Sequence, residues 1–172
     1  MYKLLVEVID LRSFSNLWYW IALGVIWSSA SHWVLGVPYD MVARARREGG
    51  QALNDLETLV RINTSRMLDF SRNRGVWLVG FVSFLVTVLG LLGFAYGSEF
   101  AQAVLLLFVP LCLLGYLSLR VAVRIEAGEG RGDALCRRLF RHRLSVQLLG
   151  MASIFLTSLY GMYVNIQFVM LR

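Results

Sequence analysis

Apolar residues fall in four long runs along the chain, at 17–37, 76–96, 101–123 and 144–169. The only charge inside any of them is Arg120, close to one end of its run. Buried helices of soluble domains use apolar stretches of about 10 to 14 residues, whereas crossing a hydrocarbon layer of roughly 30 Å takes about 20. The pattern therefore predicts an all-α membrane protein with four transmembrane helices. Helices satisfy their own backbone hydrogen bonds in lipid. A β-barrel is excluded, because its strands alternate apolar and polar residues. The first run lacks a small-residue cleavage site and reads as a retained anchor.

The segments between the runs carry their own periodicity. In residues 1–14, Lys3, Glu7 and Asp10 recur at helical spacing among Leu4, Leu5, Val8, Ile9 and Leu11. That pattern predicts a helix lying in the membrane interface. Ser13 or Ser15 is placed to cap the helix that follows. Pro38 closes the first run, and Gly49-Gly50 predicts a helix break. Beyond it, Leu53, Leu56, Val60, Asn63, Met67 and Phe70 make a heptad seam with one polar member. Nothing interrupts this pattern before the second run, so one long amphipathic helix over 51–96 leads into the membrane. Its seam must bury against something: its own chain, a second copy or a partner protein.

Gly93 and Gly97 form a small-residue step, and the turn Gly97-Ser98-Glu99-Phe100 makes the second and third runs an antiparallel hairpin. Pro110 frees the carbonyl of Leu106 and predicts a kink. In the fourth run Ser153, Thr157, Gly161 and Asn165 lie four apart, a small polar stripe suited to seating a neighbouring helix or lining a passage.

Composition agrees with the pattern. The 172 residues are 58% hydrophobic and 16% charged, so the whole chain, 1–172, reads as one membrane domain. Charge adds direction. Fourteen of the 17 Lys and Arg fall in Asp40 to Arg74 and Arg120 to Arg143. By the positive-inside rule the segments 38–75 and 124–143 are cytoplasmic, and both termini are periplasmic. The net charge of +6 then follows from topology. No recognition motif accompanies it, which argues against nucleic acid as a partner.

The search for chemistry returns little. GxSxG, HExxH, phosphate-cradling loops and paired catalytic carboxylates are missing, so the chain does not read as an enzyme. Acids inside the membrane, which ion-coupled transporters use, are missing too. The two cysteines, Cys112 and Cys136, sit at different depths and make neither a disulfide nor a metal site. His32 stands out. Ser28 precedes it by four residues, a spacing that resembles the pigment-ligating helix of light-harvesting polypeptides, and His142 lies at a similar depth. A haem or chlorophyll-type pigment on His32 is one reading; a histidine bonded to polar neighbours, with no cofactor, is the other. Around it, Trp18, Tyr19, Trp20, Trp33 and Trp77 form interfacial belts. Trp27 lies deep and must face lipid, a partner or a ligand.

The run FSNLWYWIALGVIWSSASHWVLGVPYDMVARARREGG, with RHRLSVQLLGMASIF further on, resembles a family of small alphaproteobacterial inner-membrane proteins, some of which carry the name "component of SufBCD complex". That name implies iron–sulfur cluster assembly. With two cysteines, the part implied for this chain is docking a cytoplasmic machine.

The reading that follows is a multi-pass protein of the bacterial inner membrane. It is a non-enzymatic accessory, scaffold or assembly subunit of a larger complex. Leu56, Val60, Asn63 and Met67 would form the cytoplasmic contact, and Ser153, Thr157, Gly161 and Asn165 the contact in the membrane. The lipid bilayer, other membrane subunits and a homo-oligomer are the partners this reading allows. Two alternatives stand beside it: a tetrapyrrole-associated subunit using His32, and a small passive channel lined by Ser153, Thr157 and Asn165.

Overall fold

The computed structural model describes residue 14 and residues 16–129 and 131–170. The expected interfacial helix at 1–14 lies outside the described residues except for Phe14, as do Ser13 and Ser15. The cap of the first helix is instead Asn16, whose side chain accepts from the Trp18 N–H at 3.0 Å.

Five α-helices make up nearly all of the described chain. Helix α1 runs over Leu17–His32, α2 over Tyr39–Glu48, α3 over Gly50–Gly90, α4 over Glu99–Arg124 and α5 over Gly132–Met170. One π-helical turn, Leu91–Ala95, extends α3, and a second, Ile125–Glu129, extends α4. Three helices, α3, α4 and α5, are long and apolar enough to cross a membrane. The long helix expected over 51–96 is present, broken from α2 at Gly49, whose φ of 61° only glycine adopts readily.

The first apolar run is not one helix. Helix α1 has 16 residues, about 24 Å at 1.5 Å per residue, and stops at His32. A small hairpin replaces its last turn. Strand β1 (Trp33–Val34) pairs antiparallel with β2 (Val37–Pro38), with Trp33 opposite Pro38 and Val34 opposite Val37. Its two turn residues, Leu35 and Gly36, have φ of 52° and 73°. Two left-handed residues in sequence are what a tight hairpin requires, although a left-handed Leu costs roughly 1–2 kcal/mol. Two interactions offset that cost. Val34 and Val37 are buried at 1% and 0% exposure, and the Asn63 side-chain amide donates to the Gly36 carbonyl at 3.0 Å.

The long helices and α1 pack in the order α3, α4, α5, α1, each chiefly on the next. At one end α1 begins, α3 turns into α4, and α5 finishes. Here the Phe14 N–H donates to Glu99 at 2.9 Å and the Tyr19 hydroxyl to the Ala103 carbonyl at 3.1 Å. The α3–α4 turn is closed by Gln102, whose amide donates to the Gly93 carbonyl at 2.7 Å. Helix α4 continues through Pro110 without a break. At the other end α2, the hairpin, the first half of α3 and the start of α5 build a compact core around Val34, Val37, Leu56, Val60, Leu135 and Leu139. Arg143 joins two of these pieces, its guanidinium 3.6 Å from the centre of the Tyr39 ring.

Candidate functional site

Charge is segregated between the two ends. Every described arginine lies in the segments at the hairpin end, whereas Glu99 is the one charged residue at the opposite end among those described. Crowding is sufficient to be felt: burial, with Arg124 and Arg141 adding to it, pulls Arg138 below its ordinary value. Cys136 is buried at this end, and burial, with Asp133 next in effect, pushes its thiol up.

A groove of about 990 Å³ opens at the basic end, between α3 and the connection from α4 to α5. Two carboxylates on its walls are committed. Glu57 accepts the first backbone N–H of α5, from Gly132, at 2.6 Å, which also sets a negative charge at a helix N-terminus. Glu126 takes both guanidinium nitrogens of Arg72, at 2.6 and 3.3 Å. Both partners of that pair are half-exposed, so its stabilisation is about 0–1 kcal/mol. Arg61 and Arg131 line the same groove, and their guanidinium groups form no hydrogen bond or ion pair among the described side chains. Thr64 also lines it. It is 4% exposed, and its Oγ1 is buried without a partner.

The heptad seam folds back on its own chain. Leu56 and Val60 are buried at 0% and 1% in the basic-end core, so they present no surface to a partner. Asn63 is spent on the Gly36 carbonyl and pins the hairpin turn. Met67 is half-buried and Phe70 exposed. The buried face continues instead through Thr64 and Leu68, giving a row four residues apart. A straight helix packs along such a row, whereas a heptad requires supercoiling with a long partner.

The stripe on α5 is likewise occupied by the chain itself. Phe14 lies over Gly161, where a Cβ would come within 3.2 Å of the ring, and Trp27 lies over Gly150, where it would come within 2.9 Å. Ser153 and Thr157 are buried between these two glycines. Ser153 Oγ has no hydrogen-bond partner, and Thr157 Oγ1 lies beside the Tyr19 hydroxyl, which donates to the Ala103 carbonyl. The stripe thus seats α1 chiefly by shape. Asn165 sits beyond it, on an apolar groove with Phe14 and Trp20. Trp27, expected against lipid, a partner or a ligand, faces none of these; its ring covers Gly150.

The two histidines have different surroundings. His142 is buried and shares a 3.2 Å hydrogen bond with the Ser118 hydroxyl. His32 is exposed, with the Trp33 ring edge-on at 5.9 Å. His32 lines neither of the two described grooves. Among the described residues no three His, Cys, Asp or Glu side chains converge as metal ligands.

Arg61, Thr64 and Arg131 were not singled out by sequence pattern. The groove joins segments 75 residues apart, as the Glu57–Gly132 contact shows, and no local periodicity reports such a meeting. Comparison with protein-family models, curated proteins and solved structures finds no match to this chain.

Proposed function

We propose that this protein is a non-enzymatic accessory or scaffold subunit of a larger membrane complex. It crosses a bacterial inner membrane four times, with α1 as the fourth crossing, the basic end in the cytoplasm and both termini in the periplasm. The carrying observation is the bareness of the α3–α4 hairpin. Of the most apolar stretch of α3 only 6% is buried by the rest of the chain, and of α4 only 11%, against 28% for α5. The bare faces are not simply greasy. Gly80, Gly90 and Gly115 have nothing within 4 Å of where a Cβ would stand, and Ser83 and Thr87 lie exposed between the first two. Small residues facing outward in a membrane helix let another backbone approach closely, which lipid does not require.

The topology has its own support. Helix α1 lies along α5 from Gly161 to Gly150, and the excess of arginine collects at one end, as the positive-inside rule demands of a cytoplasmic face. The partner surface is moved from the heptad seam to the hairpin, because Leu56 and Val60 are core residues here.

The test is purification from native membranes in nanodiscs, comparing the natural chain with Gly80→Leu/Gly90→Leu. A stoichiometric membrane subunit should accompany the natural chain and be lost by about tenfold from the variant, the equivalent of roughly 1.4 kcal/mol. A natural chain that emerges alone, or a partner retained equally by the variant, removes the reading.

A further inference from the structure

We infer that the groove at the basic end is a binding site for a phosphate-bearing ligand, held by Arg61 and Arg131 over the buried hydroxyl of Thr64.

The first ground is charge accounting within the groove. Glu126 is tied to Arg72, and Glu57, which accepts the Gly132 N–H, keeps its charge, so Arg61 and Arg131 leave the groove one positive charge in excess among the described side chains. Those two guanidinium groups have no ion pair or hydrogen bond among the described residues. The second ground is Thr64. A buried hydroxyl without a partner costs roughly 1–3 kcal/mol, and buried polar groups that lack one call for an explanation. Thr64 lines the groove and is 4% exposed, so a ligand oxygen there would supply what the chain does not. Asn54 and Thr58, on the same wall of α3, add neutral donors. Two guanidinium forks, two hydroxyls and an amide suit an anion with several oxygens. Phosphate meets that need, since arginine pairs with it bidentately.

Position narrows the source to two. The groove's volume, about 990 Å³, accommodates a phosphate ester of nucleotide size or a lipid headgroup. Its Arg72–Glu126 rim is four residues from Val76, where the apolar part of α3 begins, about 6 Å along the helix. A headgroup therefore reaches the groove from the membrane, and a soluble phosphate ester reaches it from the cytoplasm. The inference does not depend on the subunit reading above.

The experiment measures thermal unfolding of the purified chain in an uncharged detergent at constant ionic strength. Sodium pyrophosphate, dihexanoyl phosphatidylglycerol and, as the zwitterionic control, dihexanoyl phosphatidylcholine are titrated in turn. The expected result is a saturable rise in midpoint with an anionic probe and none with the control. Response to phosphatidylglycerol alone assigns a headgroup; response to pyrophosphate as well assigns a free phosphate ester. Arg61→Gln/Arg131→Gln should weaken the apparent affinity about tenfold or more. Arg47→Gln/Arg137→Gln removes the same charge from exposed positions outside the groove and should leave the affinity unchanged. Thr64→Val keeps the buried shape and should weaken binding severalfold, a second reading should the double arginine variant fail to fold. No saturable shift with either anion overturns the site. So does equal weakening in the two double arginine variants, or unchanged affinity in both Arg61→Gln/Arg131→Gln and Thr64→Val.

Discussion

The two outer helices of the packed row, α1 and α3, meet their neighbours in opposite ways. Helix α1 is seated on α5 by two aromatic rings over two glycines, its own Trp27 on Gly150 and Phe14, just before it, on Gly161. Helix α3 touches α4 closely at its ends, through Gln102 over Gly93 and Arg72 on Glu126, while Gly80 and Gly90 between those ends are uncovered. Lipid tails are as apolar as leucine, so burial of apolar surface does not by itself hold two helices together in a membrane. Close packing does, and glycine is where close packing is found. The first pair has spent Gly150 and Gly161 on itself, whereas the second spends Gly93 at its turn and still presents Gly80 and Gly90.

The largest effect is expected in the core at the basic end. Leu56 is fully buried where α3 meets α5 and the hairpin. Leu56→Ala should lower stability by about 2–5 kcal/mol through lost burial and the cavity left behind. The measurement is unfolding of the purified protein by denaturant in mixed micelles. An effect below that of an exposed control such as Ile62→Ala would mean that the core at the basic end is not what holds the hairpin and α2.

Next in size comes the contrast between covered and open glycines. At Gly150 a Cβ would stand 2.9 Å from the Trp27 ring, and the ring cannot retreat without lifting α1. Gly150→Ala should therefore cost about 1–3 kcal/mol by overpacking. The same change at Gly115, which has nothing within 4 Å, should leave stability unchanged or raise it by up to about 1 kcal/mol through helix propensity. Equal effects at the two positions would dissolve the distinction between the pairs.

How much of this was legible in the sequence depended on distance along the chain. The apolar runs, the Gly49 break, the long helix over 51–96 and the tight α3–α4 turn are local, and pattern alone located them. The first run misled because its composition is that of a span throughout, while its last residues, Trp33 to Pro38, turn back into a hairpin. Two residues in that stretch carry the signal, Gly36 and Pro38, but what stabilises the turn is Asn63, 27 residues away. The heptad seam was read correctly as a buried face at Leu56 and Val60 and wrongly beyond them, because a straight helix drifts from a 3.5-residue repeat and turns Thr64 and Leu68 inward. The groove was illegible for the same reason that the hairpin was: Arg61 and Arg131 become neighbours only after the core has formed.

The smallest expected effect separates two accounts of the α1–α5 pair. Ser and Thr on a membrane helix suggest interhelical hydrogen bonds, worth about 0.6–2 kcal/mol each. The structure seats α1 without them, since Ser153 and Thr157 are buried with no bonded partner. Replacing such a hydroxyl by a methyl removes an unsatisfied polar atom and preserves volume, which is close to neutral or stabilising. Thr157→Val should therefore change the unfolding free energy by no more than about 0.5 kcal/mol, or raise it. A loss of about 1 kcal/mol or more would show that Thr157 donates to a neighbour, with the Tyr19 hydroxyl beside it the first candidate. In that case Tyr19→Phe should reproduce the loss and the double variant should add nothing to it. With no loss in either variant, the seat of α1 rests on Trp27 and Phe14 over their glycines, and shape alone distinguishes the filled side of the row from the open one.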